Sequence, residues 1–328
     1  MSDAKPAVRV PLAFRFGFDR SVATAFGCII LMLIGGAFYS RQFLSPEYLL
    51  QQLQISAFLG VIASGAMMVI LIGHIDLSVP WTVTLGAMMA TAVAGWYGTA
   101  GEVAAIPVAL LCGALVGLVN GFGVAFLRLP SMIFTLGMNA VLQGLMVIHT
   151  GGSAPQDHAT DLMHFLAVGR LVAGVPNALL VWALVGAFVI FVLTRTAFGR
   201  RVYAVGNREQ AAYLAGINTN LVIVGCFVLS GMAAAFAGVL LAGYSTKAYQ
   251  AMGDPYLLPA IAAVVLGGTN ILGGRGNYLG TVAGVILITL LQSILAVMQM
   301  PEAGRQIIYG TVIIAMLLSY GRSEAGRR

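Results

Sequence analysis

The feature that most limits what this chain can become is the series of long apolar runs that fills it. By hydropathy they fall at 21–38, 53–72, 79–97, 104–127, 130–149, 176–194, 221–243, 257–268, 278–299 and 306–320. A helix needs roughly 20 mostly apolar residues to cross a bilayer, whose core offers no water to backbone N–H and C=O groups. The runs therefore predict an all-α integral membrane protein of about ten transmembrane helices. The eighth run is short for a crossing and reads as a broken helix, or as one that begins earlier in the preceding loop. Hydrophobic residues make up 59% of the 328 positions and charged residues 9%. That balance leaves residues 1–328 as a single transmembrane domain, with any soluble machinery on other chains.

The basic residues give an orientation. If all ten runs cross, 13 of the 17 Lys and Arg residues fall on one side and only Arg41, Arg170, Lys247 and Arg305 on the other. The positive-inside rule then places both termini in the cytoplasm. These charges are scattered through short loops and tails and form no basic stripe, which argues against nucleic acid. Lys5, Arg9, Arg15 and Arg20 precede a first run longer than a signal-peptide core, so an uncleaved first helix is expected. Cys28, Cys112 and Cys226 each lie in an apolar run without CxxC spacing or a neighbouring His, and no metal site is expected from them. The 41 glycines lie mostly within the runs. Single glycines suit tight helix packing, and their abundance suits a bundle whose helices slide.

Three polar interruptions carry the chemistry. Between the second and third runs the chain reads Gly73-His74-Ile75-Asp76-Leu77-Ser78-Val79-Pro80-Trp81. Asp76 or Ser78 is placed to cap the next helix, with Pro80 in its first turn. An ionisable group this close to membrane depth is also a candidate for a gate or a solute path. Inside the spans, Asn120, Asn139, Gln143 and Gln292 each need a partner away from lipid, either another helix or a watery passage that would suit a neutral hydroxylated solute.

The second interruption, Tyr203 to Asn218, predicts a two-turn helix. Asn207 stands as N-cap with Gln210 three residues on, and Gly216 takes the left-handed terminal position with Ile217 closing over the last turn. Its surface, Ala211, Ala212, Tyr213, Leu214 and Ala215, is too apolar for a solvated loop and suits docking into a partner's groove. The third is the glycine-rich stretch Gly267 to Gly276, whose N–H groups could bind an anion. It is not a nucleotide loop, because no GxxxxGK[ST] occurs in the chain.

In order along the chain, Gly73 to Val79, Asn120-Gly121, Pro130 to Gly137, Thr150-Gly151-Gly152, Tyr203 to Ile217 and Ala260 to Gly276 resemble the permease subunits of ribose-type ABC importers (ribose, xylose, galactose). These belong to the branched-chain amino acid/ribose permease superfamily. His74 and Pro80 stand where that family usually has Gly. The resemblance implies a bacterial inner-membrane subunit that pairs with a second permease subunit, identical or closely related. It also implies a cytosolic ATP-binding subunit and a periplasmic solute-binding protein that delivers a monosaccharide. It makes 206–216 the coupling helix to the ATPase, through Gly206, Asn207, Arg208, Ala211, Ala212, Leu214 and Gly216, and implies no cofactor.

Other solutes, such as a nucleoside or a branched amino acid, fit the same permease reading. An ion-coupled carrier would show several intramembrane charges, where only Asp76 stands out. A membrane enzyme would show HExxH, GxSxG or paired carboxylates on one helix face, and none occurs.

Overall fold

The computed structural model describes residues 20–39, 41–153, 157–172, 174–301, 303–311 and 314. Lys5, Arg9, Arg15, the C-terminal basic residues and most of the tenth run lie outside these. The helices are α1 (Arg20–Tyr39), α2 (Pro46–Leu71), α3 (Val79–Ala125), α4 (Ser131–Thr150), α5 (Asp161–Val168) and α6 (Asn177–Arg195). There follow α7 (Ala197–Asn207), α8 (Glu209–Leu214), α9 (Thr219–Ser245), α10 (Leu257–Leu266) and α11 (Tyr278–Val297). Six of these, α2, α3, α4, α6, α9 and α11, are long and apolar enough to cross a membrane.

Helix α3 is 47 residues long, about 70 Å if straight and more than twice the hydrocarbon thickness. It does not run straight. Gly98 leaves helical geometry at φ 54°, ψ −133°, a conformation that a side chain would oppose. A Cβ placed on Gly101 would collide with the carbonyl of Val93. At the far end the Asn120 amide donates to Ser78 Oγ at 2.8 Å, although the two residues are 42 apart in sequence. The third and fourth runs are thus the two limbs of a hairpin.

Both limbs lie along α9, and glycines set the approach. Added side-chain carbons at Gly86, Gly113 and Gly117 would meet the carbonyls of Ala235, Gly231 and Phe227, and one at Gly238 would meet that of Val83. Backbones this close exchange large side chains for dense van der Waals contact, which drives association where lipid tails are as apolar as leucine. Helix α2 runs through the middle of the bundle, against α6, α9, α10 and α11. At its centre Ser64 Oγ and Tyr278 Oη are bonded at 2.7 Å, and Trp182 Nε1 donates to Tyr278 Oη at 3.2 Å. Three helices thereby satisfy their buried polar groups together.

The eighth run is a broken helix that begins early: a 3-10 turn at Asp254–Tyr256 leads into the 10 residues of α10. The loop between α4 and α6 contains a helix its sequence does not announce, α5, capped by Thr160 Oγ1 accepting from Met163 N. It is fastened to α9 by His164 Nδ1 at 3.0 Å from the Gly243 carbonyl.

Candidate functional site

Helix α2 ends in a glycine stop. Gly73 takes φ 79°, while Gly73 N and His74 N donate back to Ile70 O and Val69 O, the pairing that closes a helix over a left-handed residue. The chain then runs irregularly from Ile72 to Ser78 beside α9. Asp76 is buried there. Its Oδ1 accepts from Ser78 N at 3.0 Å and from Ser78 Oγ at 2.6 Å, and its Oδ2 accepts from Ser230 Oγ at 3.3 Å. Ser230 is the twelfth residue of the 27 in α9, so this carboxyl group sits near the middle of a span.

Ser78 holds the N-cap position of α3 but makes no side-chain cap, because its hydroxyl is committed to Asp76 and to Asn120. Asp76 does not cap α3 either; its carboxylate turns the chain by accepting the N–H two residues on. Pro80 does stand in the first turn of α3. Asn120 is fully buried, and its Oδ1 has no partner among the described residues.

An unwound segment in the interior needs acceptors for its N–H groups, and α4 supplies them from residues four apart. Ser131 Oγ lies 3.4 Å from Ile75 N and 3.3 Å from His74 Nδ1. Thr135 Oγ1 accepts from Leu77 N at 2.8 Å, and Asn139 Oδ1 from Trp81 N at 3.4 Å. Positions i, i+4 and i+8 of a helix share one face, so the three side chains form a ladder. Asn139 is thereby assigned a helix-to-helix role. Ser131 and Thr135 fall within the Pro130–Gly137 motif but were given no role from sequence, though their spacing of four is a readable signal of one shared face. Gln143 is exposed on another part of α4. Gln292 is half-buried on α11, which contributes none of the cluster's hydrogen bonds.

The 206–216 region differs from its sequence expectation. It is not one helix capped by Asn207. Asn207 is the last residue of α7, and Arg208, at φ −164° and ψ 103°, breaks the chain before α8 without a side-chain cap. The reason is packing of α7 against its neighbours. Gly206 lies so close to the Leu71 carbonyl that a Cβ would collide with it, and Tyr203 Oη donates to Gly276 O at 3.0 Å. Burial pushes the Tyr203 hydroxyl above its ordinary pKa, keeping it a donor. The other end behaves as expected: Gly216 takes φ 83°, and Gly216 N and Ile217 N donate to Tyr213 O and Ala212 O. Ala212 is buried, whereas Tyr213 is 67% and Leu214 85% exposed. Arg208 is exposed and Ala211 also faces outward.

The glycine-rich stretch is not an open anion cradle. The N–H groups of Gly267, Gly268, Thr269, Asn270, Gly273 and Gly274 donate to backbone carbonyls, that of Gly274 to Leu71 O, and Leu272 N donates to Asn270 Oδ1. These donors close the end of α10 and the loop itself, and one of them, Gly274 N, holds the end of α2. Among the described residues no three His, Cys, Asp or Glu side chains come together as a metal site would require.

Residues 48–317 match the family described as branched-chain amino acid transport system / permease component. The chain is similar to the autoinducer 2 import system permease protein LsrC of Escherichia coli (strain K12 / DH10B), 33% identical over 91% of this chain and 86% of that one. It is similar to the ribose import permease protein RbsC of Haemophilus influenzae, 33% identical over 90% and 91%. With RbsC of Escherichia coli (strain K12) it shares 34% identity over 82% and 83%. No solved structure matches it.

Proposed function

Because the chain belongs to the branched-chain amino acid transport system permease family, among its sugar ABC importer members, we propose that it forms the bilayer passage of an importer for a monosaccharide. In this reading ten spans cross: α1, α2, the two limbs of α3, α4, α6, α9, α10 with its 3-10 turn, α11 and the run at 306–320. Both termini, α7 and α8 face the cytoplasm of a bacterial inner membrane, and α5 faces the periplasm. A cytosolic ATP-binding subunit docks on α8, a periplasmic binding protein delivers the solute at the opposite face, and a second permease subunit completes the passage.

The observation that carries this is the construction of α7 and α8. A short helix presents Tyr213 and Leu214 bare to its surroundings, yet its base is fastened at Gly206 to the end of α2 and to the loop at Gly274. An apolar two-turn surface on a rigid mount suits the receipt of a push from a partner. Among the expected coupling residues, Leu214, Ala211 and Arg208 are free to touch the ATPase, while Gly206, Asn207, Ala212 and Gly216 hold the mount in shape. Along the passage, Asp76, Ser78 and Asn120 act as a buried joint between α2, α3 and α9. Asn139 holds that joint to α4, Gln143 faces the passage or the second subunit, and Gln292 has a place on α11 away from the joint.

The decisive experiment is Leu214→Arg in the complex reconstituted with its ATPase and binding protein. This side chain touches little of its own chain, so thermal stability and membrane insertion should hold. Stimulation of ATPase activity by loaded binding protein should fall at least about tenfold, the scale of losing one anchor residue at an interface. Unchanged stimulation overturns α8 as the coupling surface. Uptake of ribose compared with autoinducer 2 in the same vesicles tests the solute.

A further inference from the structure

Helices α6 and α9 both pack on α2, yet among the described residues they share no packed face of their own. α5 bridges them at one end and α7 at the other. Between them lies a slot of about 140 Å³. Its floor is α2 from Val61 to Met68, its walls are α6 from Val185 to Val192 and α9 from Leu229 to Phe236, and Leu110 of α3 completes the lining. Seven residue steps of helix make it about 10 Å long. Val61 and Met68 on the floor are buried, whereas Phe188 on the wall is 54% exposed. The slot therefore opens sideways, between the helices.

Nothing polar in it is free. Its one hydroxyl, Ser64 Oγ, is bonded to Gly60 O at 2.7 Å and to Tyr278 Oη, and the other side chains of the lining are hydrocarbon or thioether. A hydroxylated solute would leave its own groups unpaired there, at a cost. The volume also falls below the roughly 300–1,000 Å³ of ordinary small-molecule sites. A hydrocarbon chain, which asks only for van der Waals contact, fits both facts.

The chemistry changes at the α7 end. Phe188, Val192 and Arg195 stand at i, i+4 and i+7 of α6, positions that share one helix face. The wall of the slot thus reaches a guanidinium within one turn. Arg200 and Arg201 follow on α7, which crosses to α9 where the Phe198 ring lies against Gly225. All three arginines are exposed, and among the described residues none is paired with a carboxylate.

We propose that the slot binds an anionic glycerophospholipid, one acyl chain lying between α6 and α9 and the phosphate held by Arg195, Arg200 and Arg201. The proposal rests on the reading above that α6 crosses the bilayer with α7 on its cytoplasmic side. Guanidinium groups pair with phosphate oxygens through parallel N–H donors, and basic groups at the cytoplasmic end of a bundle select anionic headgroups. The acyl chain supplies the packing that α6 and α9 do not give each other.

The test uses the assembled complex in vesicles of phosphatidylethanolamine with a minority of phosphatidylglycerol. A photoreactive side chain is introduced as Phe188→p-benzoylphenylalanine on the slot, or as Phe191→p-benzoylphenylalanine, a position that is 57% exposed and does not line it. After irradiation, lipid attached to the chain is identified by mass spectrometry. At position 188 phosphatidylglycerol should be enriched about fivefold over its share of the bilayer, the scale of one basic side chain at an anionic lipid. At position 191 it should match that share. Adding Arg195→Gln/Arg200→Gln/Arg201→Gln should return position 188 to the bulk ratio and leave position 191 unchanged. Equal ratios at the two positions, or enrichment that survives the triple variant, overturn the site. Attachment of position 188 to a second copy of the permease instead of lipid overturns it as well. Absence of lipid at both positions removes the bilayer placement of α6, a failure of the importer reading itself, whereas lipid at 191 without enrichment at 188 removes the site alone.

Discussion

Helices α2 and α4 are each long enough to cross a bilayer, but their surroundings are opposite. In the most apolar stretch of α2, 83% of residues are buried, against 17% in α4. A Cβ on Gly65 of α2 would lie 2.9 Å from both Ala233 Cβ and Ser230 Cα, whereas at Gly137 and Gly144 of α4 no atom lies within 4 Å. α2 is held on every side by its own chain. α4 is held along one edge, by the Ser131, Thr135 and Asn139 ladder, and leaves Leu136, Gln143, Gly144 and Val147 bare. An amide in mid-span finds no partner in lipid, so under the proposed function the free side of α4 faces a second subunit or the passage, while α2 is packed within its own chain.

Substitutions separate the two cases. Gly65→Val should produce the largest loss, about 3 kcal/mol, because the packed helix backbones cannot part without breaking their other contacts. A fall in the thermal midpoint of the detergent-solubilised chain measures it, and an unchanged midpoint contradicts the central placement of α2. Asp76→Ala follows at about 2 kcal/mol, since it strands the Ser78 N–H and two hydroxyls; Asp76→Asn, which keeps an acceptor, should lose less. Thr135→Val, close in shape, removes the acceptor of Leu77 N–H and should cost about 1 kcal/mol. If it costs nothing, the ladder is not what holds α4. The smallest effect on stability, under about 0.5 kcal/mol, is expected of Gly144→Val. That variant should nevertheless impair transport by the complex, and normal uptake would show that the bare face of α4 meets only lipid.

The sequence made one kind of information plain. Runs such as 53–72, 130–149, 176–194 and 221–243 correspond to α2, α4, α6 and α9, because crossing a bilayer imposes a length and a composition that can be read locally. The break between 79–97 and 104–127 was equally visible. What escaped reading was pairing. Nothing near Asn207 shows that Leu71 lies against Gly206, so the local capping pattern suggested a helix start where tertiary contact carries α7 through to its last residue. The anion cradle failed for a related reason: most N–H groups of 267–274 are claimed by carbonyls, one of them more than 200 residues away at Leu71. In the candidate site, Asp76, Ser78 and Asn120 were individually legible as polar groups in apolar surroundings. That they share one hydrogen-bonded cluster depended on how Ser78, Asn120 and Ser230 of separate segments meet, which composition does not announce.

The contact among Gly206, Leu71, Gly73 and Gly273 has a mechanical meaning. Side-chain carbons at Gly206 and Gly273 would each collide with or crowd backbone atoms of this group, so nothing compressible lies between the surface helices and the unwound strand that carries Asp76. A soft layer of leucines would absorb a small stroke, whereas bare main chains touching main chains behave like meshed gears without backlash. One methyl group inserted at that junction would have to force these main chains apart, and under the proposed function it would loosen the link between the surface helices and Asp76.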